Sequence, residues 1–452
     1  MDCSEDFKKN DGSIEEAEDT PAFVSMEDAV EVEIQDDDAP MEDDESVDEN
    51  EMSDSRLVGD DTNQVEEMAT VVLDSHSDSI YCVASHFDEA SKTIYIISGG
   101  GDDKSFLHKI GNETKTLSLD YEHKDTVSCV ALNIPFVSND LNKTPKYAAV
   151  GAYDGAIIIY DPSTGTMVKE LEGPSDVEFV SFHPKGGSVL LAGSADDGTI
   201  WMYHIPTSKC MQVFVGHESG ATAGAFTADG KWALSCSSDG TLRVWAPRTG
   251  VCKHIFRFSD NGAGLTCLAV NNENESQLVL VGAEDGTAHV CHIEGKKVIS
   301  SLQHTEQSLE TRSEEEMDLP TSVEAVGFAP AALNSKWCAT GGVDGILKIW
   351  DLNNNGCRHI CKHESDAGQM AGVTRLRWHP CRPIVFTSAS DGMIRIWDAR
   401  SGKLIKALTG HTDMINDLDI NTFGETAIII SGSDDKSIRV FDCDIGAPLK
   451  SS

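Results

Sequence analysis

Histidine, aspartate, serine or threonine, and tryptophan are the residues of this chain that could do chemistry together, because they return in a fixed order. His76, His123, His217, His363 and His411 each stand upstream of an aspartate in a turn, and Gly216-His217 and Gly410-His411 share one dipeptide. Imidazole and carboxylate together could ligate a metal. They could equally form a buried hydrogen-bond chain, and this second reading is adopted here. His217, Ser235, Trp245 and Asp239 form the full set, a network that stabilises only if every buried polar member is satisfied. No metal or other cofactor is expected. Catalysis is not expected either: the chain has no Gly-x-x-x-x-Gly-Lys-Ser/Thr, no Gly-x-Ser-x-Gly, no His-Glu-x-x-His and no Cys-x-x-Cys. The 13 cysteines are odd in number and scattered, and Cys82, Cys129, Cys236 and Cys267 sit inside apolar runs, as reduced core thiols would.

The elements that must position these residues are strands. One phrase recurs, an Asp in a turn followed six residues later by an aromatic or its substitute, with alternating apolar residues between. The clearest copies are Asp239 to Trp245, Asp344 to Trp350 and Asp391 to Trp397; weaker ones begin at Asp102, Asp154, Asp197, Asp285 and Asp435. Successive Asp positions lie 52, 43, 42, 46, 59, 47 and 44 residues apart, close to the roughly 40–45 residues of a four-stranded propeller blade. Residues 305–319, a Glu-rich polar insertion, account for the longest gap and read as a surface loop.

With Ile349-Trp350-Asp351 and Ile396-Trp397-Asp398 as its signatures, the chain resembles the WD-repeat family over residues 69–447. The fold expected is all-β, an eight-bladed WD-repeat β-propeller with a disordered acidic N-terminal tail; a seven-bladed ring with one degenerate repeat is the alternative. The last copy lacks an outermost strand, and Val71-Val72-Leu73 lacks a blade. Strand 70–74 is therefore expected to pair with the last blade and close the ring, which removes an open sheet edge.

Charge is unevenly distributed. Residues 1–68 hold 27 Asp or Glu against three basic residues; the remainder holds 49 against 32. Such a tail cannot build a core, so it is expected to stay disordered, either holding a basic client loosely or aiding solubility. Like charge argues against direct contact with nucleic acid or an anionic membrane. No apolar run approaches the ~18–20 residues that span a bilayer, and the N-terminus has no apolar signal region. A monomer made and kept in the cytoplasm, with the nucleus as a second compartment, is the expectation.

In WD-repeat propellers three positions per blade commonly point to the narrower face around the channel. In this register they are the third and fifth residues after the His position and the residue just before the turn Asp. The rule selects 24 residues, of which six, Asp176, Glu178, Asp196, Glu284, Glu324 and Asp434, are carboxylates and none is Lys or Arg. Tyr81, Tyr153 and Met414 would add apolar or cation–π contact. An acidic face for a basic protein segment follows, with an acidic face of no functional consequence as the plainer alternative.

More narrowly, the acidic leader before His76-Ser-Asp-Ser-Ile-Tyr-Cys-Val83, Gly101-Asp-Asp-Lys104, His183-Pro184, Val189 to Tyr203, and Ser322 to Phe328 resemble the angio-associated migratory cell protein family and its fungal ribosome-assembly chaperones. The resemblance implies a dedicated chaperone that grips the basic N-terminal segment of a large-subunit ribosomal protein until it joins the subunit; it also carries an association with cell migration and angiogenesis that no residue here explains. Two other readings stand beside it. One is a signalling or cell-migration scaffold. The other is a substrate receptor of a cullin–RING ubiquitin ligase, suggested by Trp397-Asp398-Ala399-Arg400.

Overall fold

The computed structural model describes residues 66–133, 144–185, 188–258, 262–271, 277–305, 322–333, 336–364 and 368–445. The acidic segment up to residue 65 and nearly all of the insertion, residues 306–321, lie outside them, and so do the expectations placed on those stretches.

Alternating apolar and polar residues make strands, and the Asp-Gly turns between them make hairpins. The result is eight four-stranded antiparallel sheets, with eight blades rather than seven. Their innermost strands, taken in chain order as blades one to eight, are Ile80–Asp88, Val127–Asn133, Val177–Phe182, Ala221–Phe226, Leu265–Val270, Val323–Phe328, Val373–Trp378 and Ile415–Phe423. Helix among the described residues is limited to two short 3-10 turns, Ile205–Thr207 and Ala331–Leu333. In seven blades the four strands follow one another in sequence. The eighth borrows its outermost strand from the other end of the chain: Val71 pairs with Val440, Val72 with Arg439 and Leu73 with Ile438. Glu67 extends the contact, with Oε2 2.9 Å from Arg439 Nε.

The core lies between blades. Leu234, Leu242 and Phe256 of blade four pack with Leu265, Val279 and Cys291 of blade five, and comparable clusters fill the other interfaces. Burying such side chains stabilises by about 1.5–3 kcal/mol each. Every cysteine among the described residues is a free thiol. Burial pushes the Cys129 and Cys267 thiols up to about 12, so both stay protonated.

The interface between blades eight and one has an apolar cluster too, with Ile80 and Ile96 against Ile430 and Val440, and adds a row of polar links. Asp417, Asp419 and Asn421, alternate residues of one inner strand, accept hydrogen bonds from the backbone N–H of Val83, Ser85 and Phe87 at 3.0, 2.7 and 3.1 Å. Three side chains thus stand in for a strand edge between the two terminal blades. Burial pushes the Asp419 carboxyl up, against the pull of Arg377 and the hydrogen bonds from Ser85.

Candidate functional site: the channel mouth

Blade four has the buried network in full. His217 Nε2 lies 2.7 Å from Ser235 Oγ, Trp245 Nε1 donates to the same oxygen at 2.8 Å, and His217 Nδ1 meets Asp239 Oδ2 at 3.0 Å. Burial works against the Asp239 charge, but hydrogen bonds from His217 and Thr241 hold its carboxyl well below the usual range. Blade six repeats the set with His304, Thr340, Trp350 and Asp344. His304 was missed in the sequence because the acidic insertion separates it from Thr340 by 36 residues, against 18 between His217 and Ser235. Among the described residues no group of His, Cys, Asp or Glu is placed to hold a metal ion.

At the mouth of the channel one device recurs eight times. Each inner strand carries a β-bulge one residue after its start, leaving Tyr81, Ser128, Glu178, Thr222, Thr266, Glu324, Thr374 and Asn416 outside the strand register. A bulge re-aims a side chain and locally ends pairing. Five of the eight use that freedom to tie their blade to the next. Thr222 Oγ1 donates to the Leu265 carbonyl at 2.7 Å, Thr374 Oγ1 to Ile415 at 2.6 Å and Asn416 Nδ2 to Ile80 at 3.0 Å, while Ser128 and Thr266 bond Val177 and Val323. Tyr81, Glu178 and Glu324 belong to the other three blades, whose bulge side chains differ in kind.

Glu178 Oε2 accepts a hydrogen bond from the Tyr153 hydroxyl at 2.9 Å. Burial raises the Glu178 carboxyl, opposed by Tyr153 and by the charge of Arg375. Burial and the nearby Glu178 charge push the Tyr153 phenol upward in turn. Glu324 accepts from the Ser322 hydroxyl. Asp434 Oδ1 accepts from Asn416 Nδ2 at 2.7 Å, and Glu284 lies against Gly264. Tyr81 and Tyr153 remain 44% and 36% exposed.

Asp196 does not occupy the position assigned to it. In seven blades the residue before the turn Asp bonds back to the start of the inner strand, as Ser238 N does to the Gly220 carbonyl and Asp434 N to that of Met414. In blade three Ala195 makes this bond, to Asp176. The turn holds one extra residue, so Asp196 stands one place further out, where its carboxylate meets Ser175 Oγ at 3.3 Å.

Two features escaped the sequence reading. Asp78, Asp125 and Asp413 stand immediately before the first mouth position of blades one, two and eight, exposed, each accepting the backbone N–H of the next residue at 2.7–2.9 Å. Their signal was an Asp three residues ahead of the bulge. Arg375 and Arg377 also line the channel, a cavity of about 540 Å³, with Asp417 Oδ1 3.3 and 3.8 Å from their guanidinium groups. The mouth positions hold no cation, but the channel beneath them does. Arg400 folds onto its own strand, Nε 3.4 Å from Asp398 Oδ1, while its carbonyl accepts from His359.

Eight four-stranded blades, two of them with the complete His–Ser/Thr–Trp–Asp network, define a WD-repeat β-propeller, and residues 165–204 and 208–246 match the WD domain, G-beta repeat. Residues 234–445 match the nucleolar protein 10-like N-terminal domain. Angio-associated migratory cell protein from Homo sapiens and from Canis lupus familiaris are each 32% identical to the chain over 368 residues, 81% of this chain and 78% of the relative. The chain belongs to the angio-associated migratory cell protein family. In fold it is similar to Saccharomyces cerevisiae Sqt1, with TM-score 0.69, 16% identity, and coverage of 83% of this chain and 99% of that one. It is also similar to Chaetomium thermophilum Sqt1 bound to the N-terminus of the ribosomal protein L10, with TM-score 0.67, 18% identity, and coverage of 84% and 100%.

Proposed function

We propose that the propeller is a non-catalytic chaperone, holding the basic N-terminal segment of a large-subunit ribosomal protein for ribosome assembly. The observation that carries this reading is the arc of carboxylates around one half of the mouth: Asp413 and Asp434 of blade eight, Asp78 and Asp125 of blades one and two, and Asp176, Glu178 and Asp196 of blade three. Such an arc on a rigid ring concentrates and orients Lys and Arg side chains. Sqt1, which shares the fold, takes the N-terminus of a ribosomal protein. In this reading the chain acts as a monomer, in the cytoplasm and also the nucleus, and contacts the protein client rather than nucleic acid.

The test is capture from cell extract by the full chain beside a variant with Asp78, Asp125, Asp176 and Asp434 changed to Asn, followed by titration of the captured protein's synthetic N-terminal segment. Capture of one basic large-subunit ribosomal protein, lost in the variant and as salt rises, supports the chaperone. Unchanged capture, or a set of unrelated partners, replaces it with a scaffold.

A further inference from the structure

Tyr81, Tyr153 and Glu178 come from blades one, two and three, yet they border one cavity of about 440 Å³ together with Thr126, Ser128, Asn416 and Arg375. The two tyrosines are the exposed aromatic residues of the mouth. Tyr153 is anchored by donating its hydroxyl to Glu178 Oε2, which leaves Oε1 of that carboxylate for a donor from outside. Arg375 bounds the cavity on the channel side and is held 3.3 Å from Asp417. Its charge, partly offset by Asp417, disfavours a second cation deeper in the channel, which favours a basic segment lying across the rim over one threading the channel.

We propose that this cavity is the subsite for one arginine side chain of the bound segment, with the guanidinium lying against the tyrosine rings and bonding Glu178. The proposal rests on the reading of the mouth as a site for a basic segment and adds the residue type that fixes its register. Arginine fits better than lysine for three reasons. Its planar group stacks on aromatic rings, it presents several donors in a fixed fork, and its weaker hydration lets it enter a half-buried site. Ser128, the bulge residue of the blade that also carries Tyr153, borders the cavity with a small side chain turned to the Val177 carbonyl.

The experiment titrates a short, end-blocked lysine-only peptide into the full chain, then the same peptide with a single Lys→Arg or Lys→citrulline replacement at each position in turn. One arginine position should gain about fivefold in affinity over lysine, and citrulline there should lose it. In Tyr81→Ala the arginine-to-lysine ratio should fall to about one whatever the absolute affinity, and in Tyr153→Phe, which keeps the ring but releases Glu178 from its hydroxyl anchor, it should fall part of the way. Tyr153→Phe keeps the buried part of its ring, so that arm does not depend on tolerance of a truncation. If the lysine peptide binds but no position favours arginine, or the preference persists in both variants, the subsite is wrong and the basic-segment reading survives. If no peptide binds, both fall.

Discussion

The two halves of the channel mouth are built to the same backbone plan and filled differently. From blade eight round to blade three, the mouth positions and the residues flanking them carry seven carboxylates, Asp413, Asp434, Asp78, Asp125, Asp176, Glu178 and Asp196, together with Tyr81 and Tyr153. From blade four to blade seven the described positions carry Glu284 and Glu324, and otherwise mostly Gly, Ser and Thr. The far half has a packing reason for its small residues. A Cβ at Gly220 would stand 2.0 Å from the Ala195 carbonyl oxygen, and one at Gly372 3.0 Å from that of Val343. At these two positions the loop of the preceding blade leans on the strand start and leaves no room for a side chain, whereas Ser322 fits one in blade six. In the near half Ser79, Thr126, Asp176 and Met414 occupy the same place with side chains attached. At Gly220 and Gly372 the sequence answers to the packing of the ring; at the matching near-half positions side chains are accommodated.

The largest expected effect breaks the far half. Gly220→Val must move a carbonyl and should cost about 3 kcal/mol in urea unfolding, whereas Thr126→Ser at the matching near-half position should stay within about 0.5 kcal/mol. Equal losses would remove the distinction.

Acid separates the blade cores from the mouth. His363 is held neutral, its pKa lowered from 6.5 to about 4 by burial and then by Arg395, and His289 is lowered to about 4, chiefly by burial. In the unfolded chain both take up a proton near 6.5. Between those values the unfolded state binds more protons, so stability is full above about 6.5 and falls as pH drops towards about 4. A melting series should show a loss of up to about 3 kcal/mol for each of the two histidines, with the His363→Gln variant showing a shallower decline. A flat profile would show that these rings are not buried as the network requires.

Among the bulge residues, Thr374→Val should cost about 1 kcal/mol by leaving the Ile415 carbonyl without its 2.6 Å hydroxyl partner, with no change in peptide affinity. Glu178→Gln should do the reverse, lowering affinity with little change in stability. If both variants fail in the same assay, the bulges are one structural ring and not two classes.

The blade count was legible because the Asp-to-aromatic phrase ties a tight turn to a strand of fixed length, and both repeat with the backbone. Asp196 was misplaced for the same reason: a register rule moves along the chain one residue at a time, and the extra residue in the blade-three turn shifts it. His304 was hidden by an insertion that lengthens the sequence without displacing the ring. Nothing along the chain separates Asp78, Asp125 and Asp413 from ordinary turn residues; only the circular arrangement of the blades brings them to the same rim as Asp434 and Asp176. Arg375 and Arg377 could not be placed in the channel without knowing that a bulge precedes them and resets which residues face inward.

The smallest effect sharpens the comparison most. Asp176→Asn and Glu284→Gln each remove one charge from a mouth position, the first in the near arc and the second in the far one. Exposed single charges contribute modestly, about 0.5 kcal/mol or roughly a twofold change in affinity. For a basic peptide draped over the near arc, Asp176→Asn should show that loss at low salt, mainly as slower association, and it should fade as the ionic strength approaches ~0.15 M and beyond. Glu284→Gln should change affinity less, because the bound segment lies on the opposite side of the ring and the intervening water and salt screen the charge. Equal losses from the two sites would mean that the segment feels only the summed charge of the whole mouth, and the arc would then have no bearing on how the partner is oriented.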